Sequence, residues 1–511
     1  MNTESIWILL TIIAYLGIVL AIGIYYAKKN ESASDFYLGG RGLGPLVTAM
    51  SAEASDMSSY LLMGLPGLAY LSGFADVGWT IIGLAVGTYL NWLFTARRLR
   101  RYTQVTNSFT LPQFFSNRFR DNNNILALIS ALIIIIFFVP YTASGFAACG
   151  KLFSSLFGMN YMTAMIISAI VIVGYTATGG FLAASTTDFI QSIIMTFAIV
   201  FIVIFATVSA GGIDAVFENA KALPGYLSLT NTYIQETNTS STYGFLKIIS
   251  TCAWGLGYFG MPHILLRFMA IKDESGLKLS RRVASVWAAI AMFVAVCIGI
   301  SGRALTSNGL IQSLSGSDTE TIIIRIADVM SNYGVFFTIM AGLVLAGILA
   351  STMSTADSQL LAASSSVSQN ILQEVLHLKI SPKTSMLIAR ITVVIIAVIG
   401  IVIAQDPNSS VFEIVSFAWA GFGASFGPLI LCSLFWKRTN LQGAIAGMLA
   451  GGISVFVWKY GIATLGGAFA IYELLPAFII GIIAIIVVSL LTKAPSKEIV
   501  EEFEAVRNIK L

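Results

Sequence analysis

The run from Ile6 to Ala27 contains no charged residue, and runs of this kind recur along the whole chain. About 20 apolar residues in an α-helix cross the ~30 Å hydrocarbon core of a bilayer. Inside it, every backbone N–H and C=O must be bonded within the protein, so such runs commit to helix. Further spans are expected near 45–72, 74–96, 124–156, 161–180, 187–210, 244–267, 283–302, 335–369, 384–404, 411–436, 441–460 and 472–492, making about thirteen. Only 11% of the 511 residues are charged, where a soluble domain carries about 25%. A water-soluble enzyme is excluded, and an all-α polytopic membrane protein is expected. The net charge of +4 is a report on orientation before it is a sign of nucleic acid.

Basic residues set that orientation. Only Glu4 precedes the first run and Lys28 and Lys29 follow it, the reverse of a signal peptide. This order puts the N-terminus outside and, after thirteen spans, the C-terminus in the cytoplasm. Most of the 29 Lys and Arg residues then fall on the inner side, among them Arg97, Arg98, Arg100, Arg101, Arg118, Arg120, Arg267, Lys272, Arg281, Arg282, Lys437, Arg438 and Lys510. The outer stretches around 211–243 and 303–334 are polar and too short for a domain, and the tail 493–511 reads as a solvated helix or a disordered end. Cys149, Cys252, Cys297 and Cys432 lie far apart in apolar stretches and are expected to be free thiols.

Function is written where the spans stop being apolar. Ser51-Ala-Glu-Ala-Ser-Asp-Met-Ser-Ser59 brings two carboxylates and four serines to membrane depth, and Trp254-Gly-Leu-Gly-Tyr-Phe-Gly-Met-Pro-His263 brings three glycines and a proline. Backbone that unwinds in a bilayer must line a cavity or be buried in protein. The two interruptions are five spans apart. An odd repeat inverts its second copy, which is the plan of secondary transporters with a site at the paired broken helices. Packing kinks are the bland alternative, but an intramembrane carboxylate such as Asp56 is costly without a function. In the ninth span, Ser351, Ser354, Thr355 and Ser358 fall within an arc of about 100° at 100° per residue. Such a hydroxyl face suits either interhelical packing or a hard cation, which prefers oxygen ligands.

Ser55-Asp-Met-Ser58 with Leu61-Leu-Met-Gly-Leu-Pro-Gly67, Trp254-Gly-Leu-Gly-Tyr-Phe-Gly260 with Pro262-His263, and Met353-Ser-Thr355 resemble the sodium/solute symporter family, and within it the branch that carries proline. Tyr37-Leu-Gly-Gly-Arg41, Gly179-Gly-Phe-Leu-Ala183, Ala418-Trp-Ala-Gly-Phe-Gly-Ala424 and Leu491-Thr-Lys-Ala-Pro-Ser496 extend the likeness over nearly the whole chain. The resemblance implies a leucine-transporter-type core of two inverted five-helix repeats, with one extra helix before it and two after. Divided this way, the chain has an N-terminal helix and loop (1–44), a first repeat with its outer loop (45–243), a second repeat (244–440), two C-terminal helices (441–492) and a cytoplasmic tail (493–511). The resemblance further implies a sodium site from the carbonyls of Ala54, Met57 and Ser351 with the hydroxyls of Ser354 and Thr355. Asp56, Ser58, Tyr141, Trp254, Tyr258 and Pro262 are then expected around proline. Asp188, with Ser354, Asp357 and Ser358, is a candidate second cation site, although an aspartate opening a span is more often a cap. Glu53 stands where an uncharged residue is implied, and it faces water, meets a partner or carries a proton. His263 reads as structural or solvated before it reads as a proton relay.

These implications describe sodium-coupled import of L-proline across a bacterial-type plasma membrane by alternating access, with sodium as the coupling ion and no organic cofactor. Proline fits on its own terms: its carboxylate suits the positive end of a half-helix, and an aromatic face covers its ring. Three other readings stand beside this one. The same fold could carry another small organic solute, or use protons through Asp56 or Glu53. An ion channel, from a different class, would need a filter-like loop that the chain lacks. An enzyme is not expected, since His263 and His377 are the sole histidines and no nucleophile is paired with a base.

Overall fold

A computed structural model describes residues 3–27 and 33–509; Lys28, Lys29 and Lys510 of the inner-side set lie outside the described residues. The helices used below are α1 (Thr3–Ala27), α2 (Pro45–Ser59), α3 (Leu65–Ser72), α4 (Phe74–Leu90), α5 (Ile125–Phe157), α6 (Tyr161–Ser209), α7 (Phe245–Cys252), α8 (Pro262–Ala270) and α9 (Leu277–Ser307). After them come α10 (Val335–Ser365), α11 (Pro382–Ile403), α12 (Val411–Phe435), α13 (Leu441–Val457), α14 (Leu474–Leu491) and α15 (Lys497–Asn508). Ten helices among the described residues are long and apolar enough to cross a membrane. The expected spans outside that set, 45–72, 161–180 and 244–267, are the interrupted ones.

One boundary differs from expectation. The loop expected between the fifth and sixth spans is reduced to one residue: within the stretch labelled α6, two helices meet at a kink at Gly180, at φ 69° and ψ −176°. Glycine has no Cβ to oppose that conformation, so the chain bends at one residue where a loop would need several. Asp188 therefore lies eight residues into the helix that follows the kink and does not cap it.

Small residues decide the closest packing. A Cβ on Gly83 would run into the carbonyl of Cys252, and one on Gly87 into the backbone of Gly255, so α4 lies backbone against backbone on the second interrupted segment. Central α10 packs against α1, α2, α5 and α6. Its own small and hydroxyl residues are buried from Val344 through Ser365. Outward faces carry Ile170, Phe197 and Val208, more than 60% exposed, as suits a surface covered by lipid.

The outer stretch after α6 folds into a short antiparallel hairpin, β1 (Asn231–Ile234) with β2 (Thr239–Thr242), Asn231 pairing with Thr242. The tail forms α15, capped at its N-terminus by Ser496, whose hydroxyl accepts from the Ile499 N–H. Glu502 meets Arg120 at 2.5 Å and Glu504 meets Lys437 at 2.9 Å, so α15 lies on the basic segments that follow α4 and α12. All four cysteines are free, and Cys149 is fully buried.

Candidate functional site

Both interruptions foreseen from the sequence are present, and each breaks in its own way. In α2 the break falls at Ser58, a non-glycine residue at φ 49° and ψ −167°. That left-handed conformation is costly for a side chain and persists only where the surroundings enforce it. The Ser58 hydroxyl accepts from the Tyr60 N–H at 3.1 Å, adding a side-chain acceptor where the helix is interrupted. In the second segment α7 tightens into 3₁₀ turns over Ala253–Phe259, Met261 is extended at φ −75° and ψ 111°, and Pro262 opens α8. Proline suits a first helical position because its missing N–H has no partner to lose there.

The hydroxyl face of α10 meets the first break. Ser354 Oγ donates to the Ala54 carbonyl at 2.8 Å and to the Ser351 carbonyl at 3.1 Å, and Thr355 Oγ1 donates to the Ser351 carbonyl at 3.1 Å. All four residues are at most 3% exposed. Ala54, Ser351, Ser354 and Thr355 thus form one cluster of hard oxygen donors. The Met57 carbonyl, in the same turn as the break, accepts from the Tyr60 N–H.

Asp56 lies between that cluster and a wall of rings. Its Oδ2 accepts from the Tyr258 hydroxyl at 2.6 Å, and its carbonyl accepts from the Tyr141 hydroxyl at 3.3 Å. Asp56, Met57, Tyr60, Tyr141, Trp254 and Trp419 line a cavity of about 10 Å³, the room of a single water. The Trp254 indole stacks on Tyr60 at 5.7 Å and on Tyr472 at 5.1 Å, and its carbonyl accepts from Trp419 Nε1 at 2.8 Å. Tyr258 meets Trp419 edge-on at 5.2 Å. Ser58 lines the adjoining hollow with Tyr141, Thr355 and Gln359. Pro262 is buried in the first turn of α8 and is absent from the cavity wall.

Tyr60, Trp419 and Tyr472 of this wall were not foreseen from the sequence. For Trp419 a signal existed: it stands in a run of small residues, and a Cβ on Gly257 would collide with its indole. Periodicity alone does not separate a ring that lines a cavity from one that fills a core.

A second buried cluster surrounds Asp188. Its Oδ2 accepts from Ser51 Oγ at 2.7 Å and from Arg267 Nη2 at 3.0 Å. Arg267 also donates to Ser358 Oγ at 2.5 Å, to Ser51 Oγ at 3.0 Å and to the His263 carbonyl at 2.9 Å. Ser358 Oγ donates to Asp357 Oδ1 at 3.3 Å. Arg267, assigned from sequence to an inner loop, is instead 1% exposed within α8, where a guanidinium fits because several oxygens surround it. His263 is also fully buried, so the solvated reading fails; neither ring nitrogen has a hydrogen-bond partner among the described residues.

Glu53 does not face water. It is 1% exposed, and its Oε1 accepts from Thr88 Oγ1 at 3.2 Å and Trp92 Nε1 at 3.3 Å, both from α4 and its continuation.

The chain is similar to known proteins over nearly its whole length. The profile of the sodium:solute symporter family matches residues 36–451. A sodium/proline symporter of Haemophilus influenzae is 42% identical over 501 residues, covering 97% of each chain. The osmoregulated proline transporter OpuE of Bacillus subtilis is 41% identical over 495 residues, covering 96% of each. Among solved structures, a Na⁺-coupled sialic acid symporter in a substrate-bound outward-open state superposes with a TM-score of 0.78 at 18% identity, covering 96% of this chain and 99% of the other.

Proposed function

This chain belongs to the sodium:solute symporter family, and we propose that it is a sodium-coupled symporter that imports L-proline by alternating access. The observation that carries the reading is the meeting, at one helix break, of an oxygen-only cluster with an aromatic cavity: Ser354 on Ala54, and Asp56 between Tyr141 and Tyr258. It is a multi-pass membrane protein and not an enzyme.

In this proposal the ten long helices and the three interrupted segments make thirteen spans. Two inverted repeats, 45–243 and 244–440, follow the N-terminal unit 1–44 and precede two further helices in 441–492 and the tail 493–511. The N-terminus faces outward and the C-terminus lies in the cytoplasm of a bacterial-type plasma membrane. Sodium binds the carbonyls of Ala54, Met57 and Ser351 and the hydroxyls of Ser354 and Thr355, which bond one another and turn outward to the ion when it arrives. This closes the break in α2 against α10. Proline then enters between Asp56, Ser58, Tyr141, Trp254, Tyr258 and the first turn of α8 at Pro262, its carboxylate toward a half-helix N-terminus and its ring against the stacked aromatics. Asp188, Asp357 and Ser358 are a second cation site only in a state where Arg267 withdraws, since its guanidinium supplies the positive charge there.

One charge moving down ~150 mV supplies about 3.5 kcal/mol. At about 1.4 kcal/mol per decade, that sustains roughly a few hundred-fold accumulation. The test is uptake of labelled proline by proteoliposomes under imposed sodium, lithium or proton gradients. Sodium-dependent accumulation is expected, and accumulation driven equally by protons alone would refute the coupling.

A further inference from the structure

Along α9, Arg282, Val286, Ile290 and Val294 recur every four residues and form one ridge of the helix, and Lys278 continues it at the near end. The ridge is therefore cationic at its start and apolar beyond. Lys278 and Arg282 are both exposed, and neither enters an ion pair among the described residues. The adjacent Arg281 is engaged elsewhere: about 100° round the helix, its guanidinium lies over the Tyr89 ring at 5.3 Å.

This ridge borders a groove. Thr196, Ile199 and Val200 of α6 face it, and the two helices enclose about 500 Å³. Among the described residues, Arg282 is the one charge on the groove wall. The polar atoms of the floor are already bonded: Trp287 Nε1 donates to Thr196 Oγ1 at 2.8 Å, and that hydroxyl donates to the Ser192 carbonyl at 2.7 Å. What is left is hydrocarbon, with Val286 and Ile290 each 58% exposed. Both α9 and the part of α6 after its kink are long and apolar enough to cross a membrane, so the groove opens to lipid.

From Arg282 to Val294 the ridge rises about 18 Å, close to the ~15 Å of hydrocarbon in one leaflet. A cation at the end of a leaflet-long apolar groove has the shape of a phospholipid site: phosphate at the interface, acyl chain below. Positive charge without a protein counterion favours an anionic headgroup, since a zwitterionic one carries its own cation beside the phosphate. The cleft of similar volume bounded by α1, α5, α6 and α10 has no charged residue on its wall and makes no such selection.

We propose that the groove between α6 and α9 binds one anionic phospholipid, its phosphate on Arg282 and Lys278 and an acyl chain along Val286, Ile290 and Val294. In the proposed topology the lipid belongs to the inner leaflet. It sits between two helices that both pack on α2, the element carrying the first break.

Native mass spectrometry of the full chain in detergent, titrated with phosphatidylglycerol or phosphatidylcholine, reads the bound lipid. The native chain is expected to retain phosphatidylglycerol in preference to phosphatidylcholine. R282Q should weaken the site about fivefold, and K278Q combined with R282Q about thirtyfold, so that the double variant keeps one phosphatidylglycerol fewer per chain. V286W leaves both cations in place but fills the groove, and should lose the same lipid. Glycerol phosphate, the soluble headgroup alone, should not displace it. Equal retention of the two lipids by the native chain, an unchanged count in the double variant, or displacement by glycerol phosphate would each overturn the site. A V286W count equal to the native one would overturn the groove as the seat of the acyl chain. The substituted positions are exposed, and the comparison of the two lipids on the native chain needs no variant.

Discussion

Asp188 and Glu53 are two carboxylates at similar burial, 0% and 1% exposed, and they meet their charge in different ways. Asp188 has a resident guanidinium at 3.0 Å, fixed by two serines and a carbonyl. Glu53 has a hydroxyl and an indole on one oxygen and, among the described residues, nothing on the other. A cluster with its own cation joins α2, α6, α8 and α10 in this state. A carboxylate held by a hydroxyl and an indole alone has no such joint. The same functional group is therefore ion-paired in one place and held by neutral donors in the other.

The largest expected effect tests the joint. Arg267→Met strands Asp188 in the interior and should cost about 3–5 kcal/mol of stability, as expected when one partner of a buried pair is removed. Thermal unfolding in detergent would read it, and adding Asp188→Asn should recover most of the loss. If the single variant is as stable as the native chain, Arg267 does not balance Asp188 and the contrast collapses. On the other cluster, Asp56→Ala should reduce sodium-driven proline uptake about a hundredfold, close to ~2.7 kcal/mol. Unchanged uptake and sodium affinity would remove Asp56 from the machinery.

Smaller effects sharpen the boundary between ion and substrate. Tyr258→Ala removes a hydroxyl bonded to a carboxylate, worth about 1.5–3 kcal/mol, and should mainly raise half-saturating proline, by roughly 10- to 100-fold. An unaltered value would assign Tyr258 to packing. Trp419→Phe keeps the ring and loses the bond to the Trp254 carbonyl, about 1 kcal/mol, or roughly a fivefold weaker proline affinity. A loss in sodium affinity with proline affinity intact would place Trp419 with the ion.

Much of this was legible in the residues. Uncharged runs such as Ile6 to Ala27 dictate helices, and the glycines of 255–260 announced a broken segment that is present. The hydroxyl face of α10 also meets the break it was expected to face. Arg267 was not legible at its depth, because counting basic residues assigns a side of the membrane and says nothing of how far along a helix a charge is buried. Asp188 was placed at a span end because the helix after the kink begins at Gly180 and not near 187, with no loop residues between to mark the join. Tyr60 and Tyr472 were missed because the wall they build joins segments from opposite ends of the chain.

The narrowness of the cavity beneath Trp254 has a consequence for selectivity. A space of about 10 Å³ does not admit a pyrrolidine ring until the stacked aromatics part. Part of the affinity for cargo is then spent on prying those rings open, and only the remainder appears as binding. Discrimination becomes a question of leverage: a solute with too little apolar bulk cannot hold the wedge open, and one with too much keeps the stack from reclosing.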